Sequence, residues 1–129
     1  MKVADAMTPV VLMVGPEHTL RQASEMMMER KVGSAVILDP DGAGPGIITE
    51  RDILRSLAAG QDPDEEVVDD HLTDSATVCG PDTALEDAAS IMMRGGFRHV
   101  IVANATGVVG VLSMRDIVRS WLTEHSPAI

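Results

Sequence analysis

Gly46-Ile47-Ile48-Thr49-Glu50-Arg51-Asp52 is the stretch of this chain best equipped for chemistry, and it returns as Gly110-Val111-Leu112-Ser113-Met114-Arg115-Asp116. Each copy brings a hydroxyl, a guanidinium and a carboxylate together where a helix is expected to start. Such a set has two uses. Thr49 and Ser113 can be N-caps, with Asp52 and Asp116 reaching back to close a capping box and complementing the helix dipole. Alternatively, amides, hydroxyl, Arg and the small Gly backbone form a phosphate cradle. The carboxylate then accepts from both hydroxyls of a ribose, as acidic residues do in dinucleotide sites. Three features favour a ligand. Asp is shorter than the Glu or Gln that normally closes the box. Arg51 and Arg115 fall in the first helical turn, where a cation opposes the dipole unless an anion is present. The whole unit, with its Gly, occurs twice. Capping and binding remain compatible, because different atoms serve each.

The repetition extends along the chain. At an offset of 65, Gly15-Pro16-Glu17 falls on Gly80-Pro81-Asp82, Leu20 on Leu85, Ala23 on Ala88, Met27-Met28 on Met92-Met93, and Ala35-Val36-Ile37 on Val100-Ile101-Val102. After a one-residue deletion the offset is 64 and the two motifs align. An internal duplication follows. In each half the apolar spacing predicts an amphipathic helix (Leu20 to Arg30-Lys31; Thr83 to Arg94, stopped by Gly95-Gly96), then two short strands (Val32–Leu38 and Gly46–Ile48; Phe97–Ala103 and Val108–Leu112). Asp39-Pro40-Asp41-Gly42 reads as the turn after the first strand. A second helix follows, from Thr49 to about Gly60 and from Met114 to about Leu122. A sheet this small leaves an apolar face uncovered, so the halves are expected to pack together and leave a cleft between them. The expected division is residues 1–61 as the first repeat, 62–70 as an acidic linker, 71–124 as the second repeat and 125–129 as a tail.

Composition narrows the function classes. The chain has 129 residues, 45% hydrophobic but only 2% aromatic, so an aliphatic core with nine Met is expected. Ten basic against twenty acidic residues give a net charge of −10, which argues against nucleic acid as a partner. Much of that charge lies in Asp62, Asp64, Glu65, Glu66, Asp69 and Asp70, read as a solvated linker. Cys79 is the only cysteine, which rules out an intramolecular disulfide, and its surroundings read as core. His18, His71, His99 and His125 show no metal-ligand spacing. Met26-Met27-Met28 and Met92-Met93 read as core or dimer interface. No nucleophile–base set or phosphate loop is visible, so no enzyme is expected. No run is long enough to span a bilayer, and a membrane partner is not expected. A reduced, cytoplasmic protein is the expectation.

The strand–Gly-x-x-(Ser/Thr)-x-x-Asp–helix unit, present twice, resembles the ligand motif of cystathionine-β-synthase (CBS) domains. Met7-Thr8-Pro9 and Arg98-His99-Val100-Ile101-Val102 add to the likeness, which covers nearly the whole chain. The resemblance implies an α+β fold of two β-α-β-β-α repeats, packed with pseudo-twofold symmetry as a Bateman module. It implies a non-catalytic regulatory role, with an adenine nucleotide (AMP, ADP or ATP) as regulatory ligand in the cleft between repeats and no required cofactor. NAD(H) or S-adenosylmethionine are alternative ligands, and a ligand-free dimeric interaction module is the alternative role. By the same resemblance Asp52 and Asp116 hold ribose, Thr49 and Ser113 contact phosphate or ribose, and Arg51 and Arg115 assist. Gly33-Ser34 and Arg98-His99 line the cleft, with Arg98 the phosphate clamp, and adenine lies near Val14 and Val78. Two departures stand out: Leu72-Thr73-Asp74 replaces Met7-Thr8-Pro9, and Gly33-Ser34 lacks the charge of Arg98-His99. The sites are therefore expected to be unequal. Both termini end close to the repeats, so a stand-alone pair is expected that acts on a separate effector protein, buffers a ligand or serves a stress role; the resemblance implies a homodimer.

Overall fold

A computed structural model describes residues 1–38, 45–73 and 76–125, except the side chain of His125. The Asp39-Pro40-Asp41-Gly42 turn, Asp74 and the tail after 125 lie outside the described residues. The elements run α1 (Val3–Ala6), α2 (Leu20–Arg30), β1 (Ser34–Ile37), β2 (Gly46–Thr49), α3 (Glu50–Ala58), a 3-10 turn (Val68–Asp70), β3 (Val78–Cys79), α4 (Leu85–Gly95), β4 (His99–Asn104), β5 (Gly107–Ser113) and α5 (Met114–His125). They form two compact α+β units. One is continuous, Leu12–Ala76; the other is composite, joining Met1–Val11 to Thr77–Ile129.

Local chemistry sets the helix limits. Thr19 caps α2, accepting from the Gln22 amide at 3.1 Å, while the Gln22 side chain accepts from the Thr19 amide at 2.9 Å. Leu20, Ala23 and Met27 recur on one face of α2 and are buried, as are Leu85, Ala88 and Met92 on α4. Both helices end on a left-handed residue at corresponding positions, Lys31 (φ 57°) and Gly96 (φ 73°). Glycine adopts that geometry freely and lysine does not.

In the continuous unit β1 pairs antiparallel with β2, and Met13 bridges parallel to Val36 on the far side of β1. In the composite unit β4 lies between a parallel β3 and an antiparallel β5. Each sheet gains one more edge bridge: Thr73 pairs with Ile47, and Thr8 pairs with Val111. Thr8 therefore completes the sheet of the second sequence repeat, and Thr73 completes that of the first. The exchange includes the residues before them. Val68, fully buried, sits in the core with Leu20, Ile37 and Ile48, and Val3, fully buried, sits with Met92, Val100 and Leu112. Val68 N–H donates to the His18 carbonyl at 2.8 Å, as Val3 N–H donates to that of Thr83 at 2.8 Å.

The run at 62–70 is expected from the sequence to be a solvated acidic linker. Its acidic side chains are mostly exposed, but its backbone is docked on the start of α2. The amides of Leu20 and Arg21 donate to the carbonyls of Glu66 (2.9 Å) and Pro63 (3.0 Å). Arg21 forks onto both carboxylate oxygens of Asp64, which raises the guanidinium pKa further. Residues 67–73 correspond to residues 2–8, so the end of the acidic run is the leader of the second repeat rather than a spacer.

Candidate functional site

The two motifs occupy matching strand–helix junctions, one in each unit. In the continuous unit Ser34 on β1 stands opposite Thr49 on β2; in the composite unit His99 on β4 stands opposite Ser113 on β5. The first helical amides point back at the preceding strand. Glu50 N–H donates to the Gly33 carbonyl at 3.0 Å, and Met114 N–H donates to that of Arg98 at 2.9 Å. Gly33, Ser34, Thr49 and Asp52 thus converge at one junction, and Arg98, His99, Ser113 and Asp116 at the other.

Both carboxylates close capping boxes. Asp52 Oδ2 accepts from the Thr49 amide at 2.8 Å, and Asp116 Oδ2 accepts from the Ser113 amide at 2.9 Å. The return bonds run from the Asp52 amide to Thr49 Oγ1 (3.4 Å) and from the Asp116 amide to Ser113 Oγ (3.1 Å). Asp, though shorter than the Glu or Gln that normally closes the box, closes it in both copies; at the first, the extended backbone of Thr49 (φ −121°, ψ 164°) brings its N–H within reach. These bonds occupy most of the first-turn donors, so any anion here must rely more on side chains than on helix amides.

The motif glycines also have a structural reason. A Cβ on Gly110 would lie 2.6 Å from Met7 Sδ and 2.9 Å from the Thr8 carbonyl oxygen. One on Gly46 would lie 3.0 Å from Leu72 Cδ1 and 3.2 Å from the Thr73 carbonyl oxygen. Gly46 and Gly110 admit the exchanged leaders; a phosphate cradle is not needed to explain them.

What remains over is charge and one carboxylate oxygen per site. The side chains of Asp52 and Asp116 are only 11% and 6% exposed. Each Oδ1 faces an arginine one turn on, Arg55 at 3.3 Å and Arg119 at 3.4 Å. Sequence reading missed these two residues, although the repeat continues through them: Arg55-Ser56 aligns with Arg119-Ser120 at the offset of 64. Arg51, Arg98 and Arg115 are exposed. The junctions differ in one further respect. The Thr49 hydroxyl also donates to Asp52 Oδ2 at 3.1 Å, whereas among the described residues Ser113 makes no such bond to its carboxylate.

Val14 and Val78 are not equivalent positions. Val14 matches Cys79, and Val78 matches Met13. Side chains alternate along a strand, so a slip of one residue changes face. Val14 is buried in the core of its own unit, beside Leu12 and Ile48, while Met13 and Val78 are 40% and 45% exposed. The outward pair is therefore Met13 and Val78.

His18, His71 and Cys79 each have a structural setting. Gly15 N–H donates to His18 Nδ1 at 2.8 Å, and His71 Nε2 meets Glu66 Oε1 at 2.8 Å. Partial burial against the composite core pushes the Cys79 thiol above its usual range, away from nucleophilic use. Among the described residues no group of His, Cys, Asp or Glu could hold a metal ion, and no helix is long and apolar enough to cross a membrane.

Comparison with known proteins gives a consistent picture. The family described as "CBS domain" matches residues 3–59 and 67–122. An uncharacterized 17.7 kDa protein of Acidianus ambivalens is 36% identical over 126 residues, 97% of this chain and 76% of that protein. Among solved structures, a hexameric CBS-CP12 protein from bloom-forming cyanobacteria superposes with a TM-score of 0.89 at 23% identity, covering 100% of this chain and 77% of that one. The CBS domain pair of protein MJ0100, solved with 5′-methylthioadenosine and S-adenosyl-L-methionine, gives a TM-score of 0.82 at 21% identity, over 94% and 99% of the two chains.

Proposed function

The chain belongs to the CBS-domain family, and on that premise we propose that it is a non-catalytic regulatory module binding an adenosine-containing ligand at its strand–helix junctions, with AMP, ADP and ATP the favoured class. The observation that carries this reading is the pair of carboxylates, Asp52 and Asp116, held nearly buried at helix starts with one oxygen beyond the cap. A ribose diol is a fitting donor pair for such an oxygen. The adenosyl ligands of the MJ0100 domain pair support the same ligand class.

The two junctions should not bind alike. Arg98, His99 and Arg115 supply cationic or hydrogen-bonding groups to a phosphate beside Ser113 and Asp116. Gly33 and Ser34 offer no charge, leaving Arg51 beside Thr49 and Asp52. The phosphorylated ligand belongs to the Asp116 junction, and a less charged one suits the Asp52 junction. Met13 and Val78 are the aliphatic residues on the outer face of the adjoining edge strands, where a purine could lie.

One observation favours a second role alongside the first. Leu54 and Leu57 on α3, and Val118 and Trp121 at the matching positions of α5, are large apolar side chains at least 46% exposed. Such faces are suited to self-association, and a homodimer is the proposed assembly. A thermal-shift panel of ligand-stripped protein with AMP, ATP, NADH and S-adenosylmethionine tests the ligand reading. A rise in Tm with at least one, lost in Asp116→Asn, is expected. No shift with any would leave the interaction role standing alone, and light scattering then decides between monomer and dimer.

A further inference from the structure

The same two carboxylates carry a device that the ligand reading does not require. In each unit the oxygen outside the cap, Oδ1, is paired with an arginine one helical turn on: Arg55 Nη1 at 3.3 Å from Asp52 and Arg119 Nη1 at 3.4 Å from Asp116. The carboxylates are nearly buried, but the arginine side chains are 70% and 67% exposed. The fixed partner is therefore the acid and the movable one is the base. Oδ2 of each carboxylate already holds an N-cap amide. A ribose hydroxyl reaching either carboxylate thus meets the arginine at the more available oxygen. The arrangement occurs at both junctions, at the same spacing, though one of the two residues between acid and base differs (Leu54 and Val118).

We propose that Arg55 and Arg119 are displaceable latches on the ribose-binding carboxylates. Each holds its aspartate in the ligand-free protein and swings into solvent when a ribose diol arrives, so that it sets the affinity and makes it depend on ionic strength. This rests on the assignment of Asp52 and Asp116 to ribose. The contact is a largely exposed ion pair at the long end of hydrogen-bonding range, so it opposes binding only modestly. Screening by salt weakens it further. A neutral ligand isolates the effect, because a phosphate would gain attraction from the freed guanidinium.

The test is calorimetric titration of the parent chain, Arg55→Ala and Arg55→Lys with adenosine, the uncharged ligand suited to the Asp52 junction, at low and at high salt. Tm values are recorded to show that all three are folded. Loss of the latch should tighten adenosine binding about two- to five-fold, the range open to an exposed ion pair, and Arg55→Lys should resemble the parent. Parent affinity should rise with salt while that of Arg55→Ala stays flat. Equal affinity and equal salt response in all three variants, or weaker binding by Arg55→Ala, would overturn the latch and leave the ribose site intact. No adenosine binding by any of them would overturn the ribose assignment and the latch with it.

Discussion

Replacing Gly110 by alanine tests the exchanged leader directly. On an extended backbone, Gly→Ala ordinarily stabilises by about 0.4–1 kcal/mol, because the unfolded chain loses freedom. Here the new methyl would stand 2.6 Å from Met7 Sδ and 2.9 Å from the Thr8 carbonyl oxygen. The thioether is the end of a flexible side chain and can move. The carbonyl cannot move freely, since it accepts from Val111 N–H at 3.1 Å while Thr8 N–H donates to the Val111 carbonyl at 2.9 Å. Relief of the clash stretches or breaks two backbone bonds, each worth about 1 kcal/mol net. With the unfolded-state gain subtracted, Gly110→Ala should destabilise by about 1.5 kcal/mol, a fall in Tm of about 6 °C for a chain of this size. Gly46→Ala is the internal control. Its nearest backbone atom, the Thr73 carbonyl oxygen, is 3.2 Å away and Leu72 Cδ1 can give, so it should stay within about 0.5 kcal/mol of the parent. Urea unfolding of both variants and of Met7→Ala/Gly110→Ala provides the readout. A Gly110→Ala protein as stable as the parent, or no less stable than Gly46→Ala, would refute the packing of Met7-Thr8 against β5.

Further expectations follow from the same geometry. Val3→Ala, a deletion at a fully buried position, should cost about 2 kcal/mol. It should lower hydrogen-exchange protection in β4 and β5 before β1 and β2, although Val3 lies in the first sequence repeat. Lys31→Gly should stabilise by about 0.5–1 kcal/mol in thermal unfolding, because it removes a left-handed lysine where the other unit has Gly96. Asp116→Ala should lose about 1 kcal/mol more than Asp116→Asn, since Asn keeps an acceptor for the Ser113 amide. Cys79 should react with a disulfide reagent more slowly than a free thiol at pH 8, gaining rate as pH climbs past 9, because burial raises its pKa and holds it protonated.

Much of the fold was legible because its signals are local. Thr19 with Gln22, the Leu20–Ala23–Met27 stripe and the continuous apolar run of β1 each declare an element within a few residues. The duplication then fixed the equivalence of the halves. The leader exchange was not legible, since Thr8 and Val111 pair across about a hundred residues and carry no shared local pattern. Val67 and Val68 were hidden for a related reason: the acidic neighbours dominate the composition of a stretch whose one buried residue does the anchoring. Within the site, the residues brought together were those the motif indicated, and the mistakes were of face and reach. Val14 and Val78 were named as a pair but stand one residue out of register along their strands, which puts Val14 in the core and Val78 at the surface. Judging Asp by side-chain length overlooked the extended N-cap backbone that meets it. Arg55 and Arg119 could have been found by extending the repeat three residues beyond the motif.

The central claim, that the nearly buried carboxylates receive an adenosyl ribose, is tested most directly by calorimetric titration of ligand-stripped protein with AMP and ATP, in the parent and in Asp52→Asn and Asp116→Asn. A lost charged hydrogen bond should weaken binding about tenfold or more. The account predicts parent binding, a loss of that size in Asp116→Asn for both phosphorylated ligands, and a smaller effect of Asp52→Asn. Unchanged affinity in both folded variants would contradict it, and Asp52 and Asp116 would then be helix caps alone.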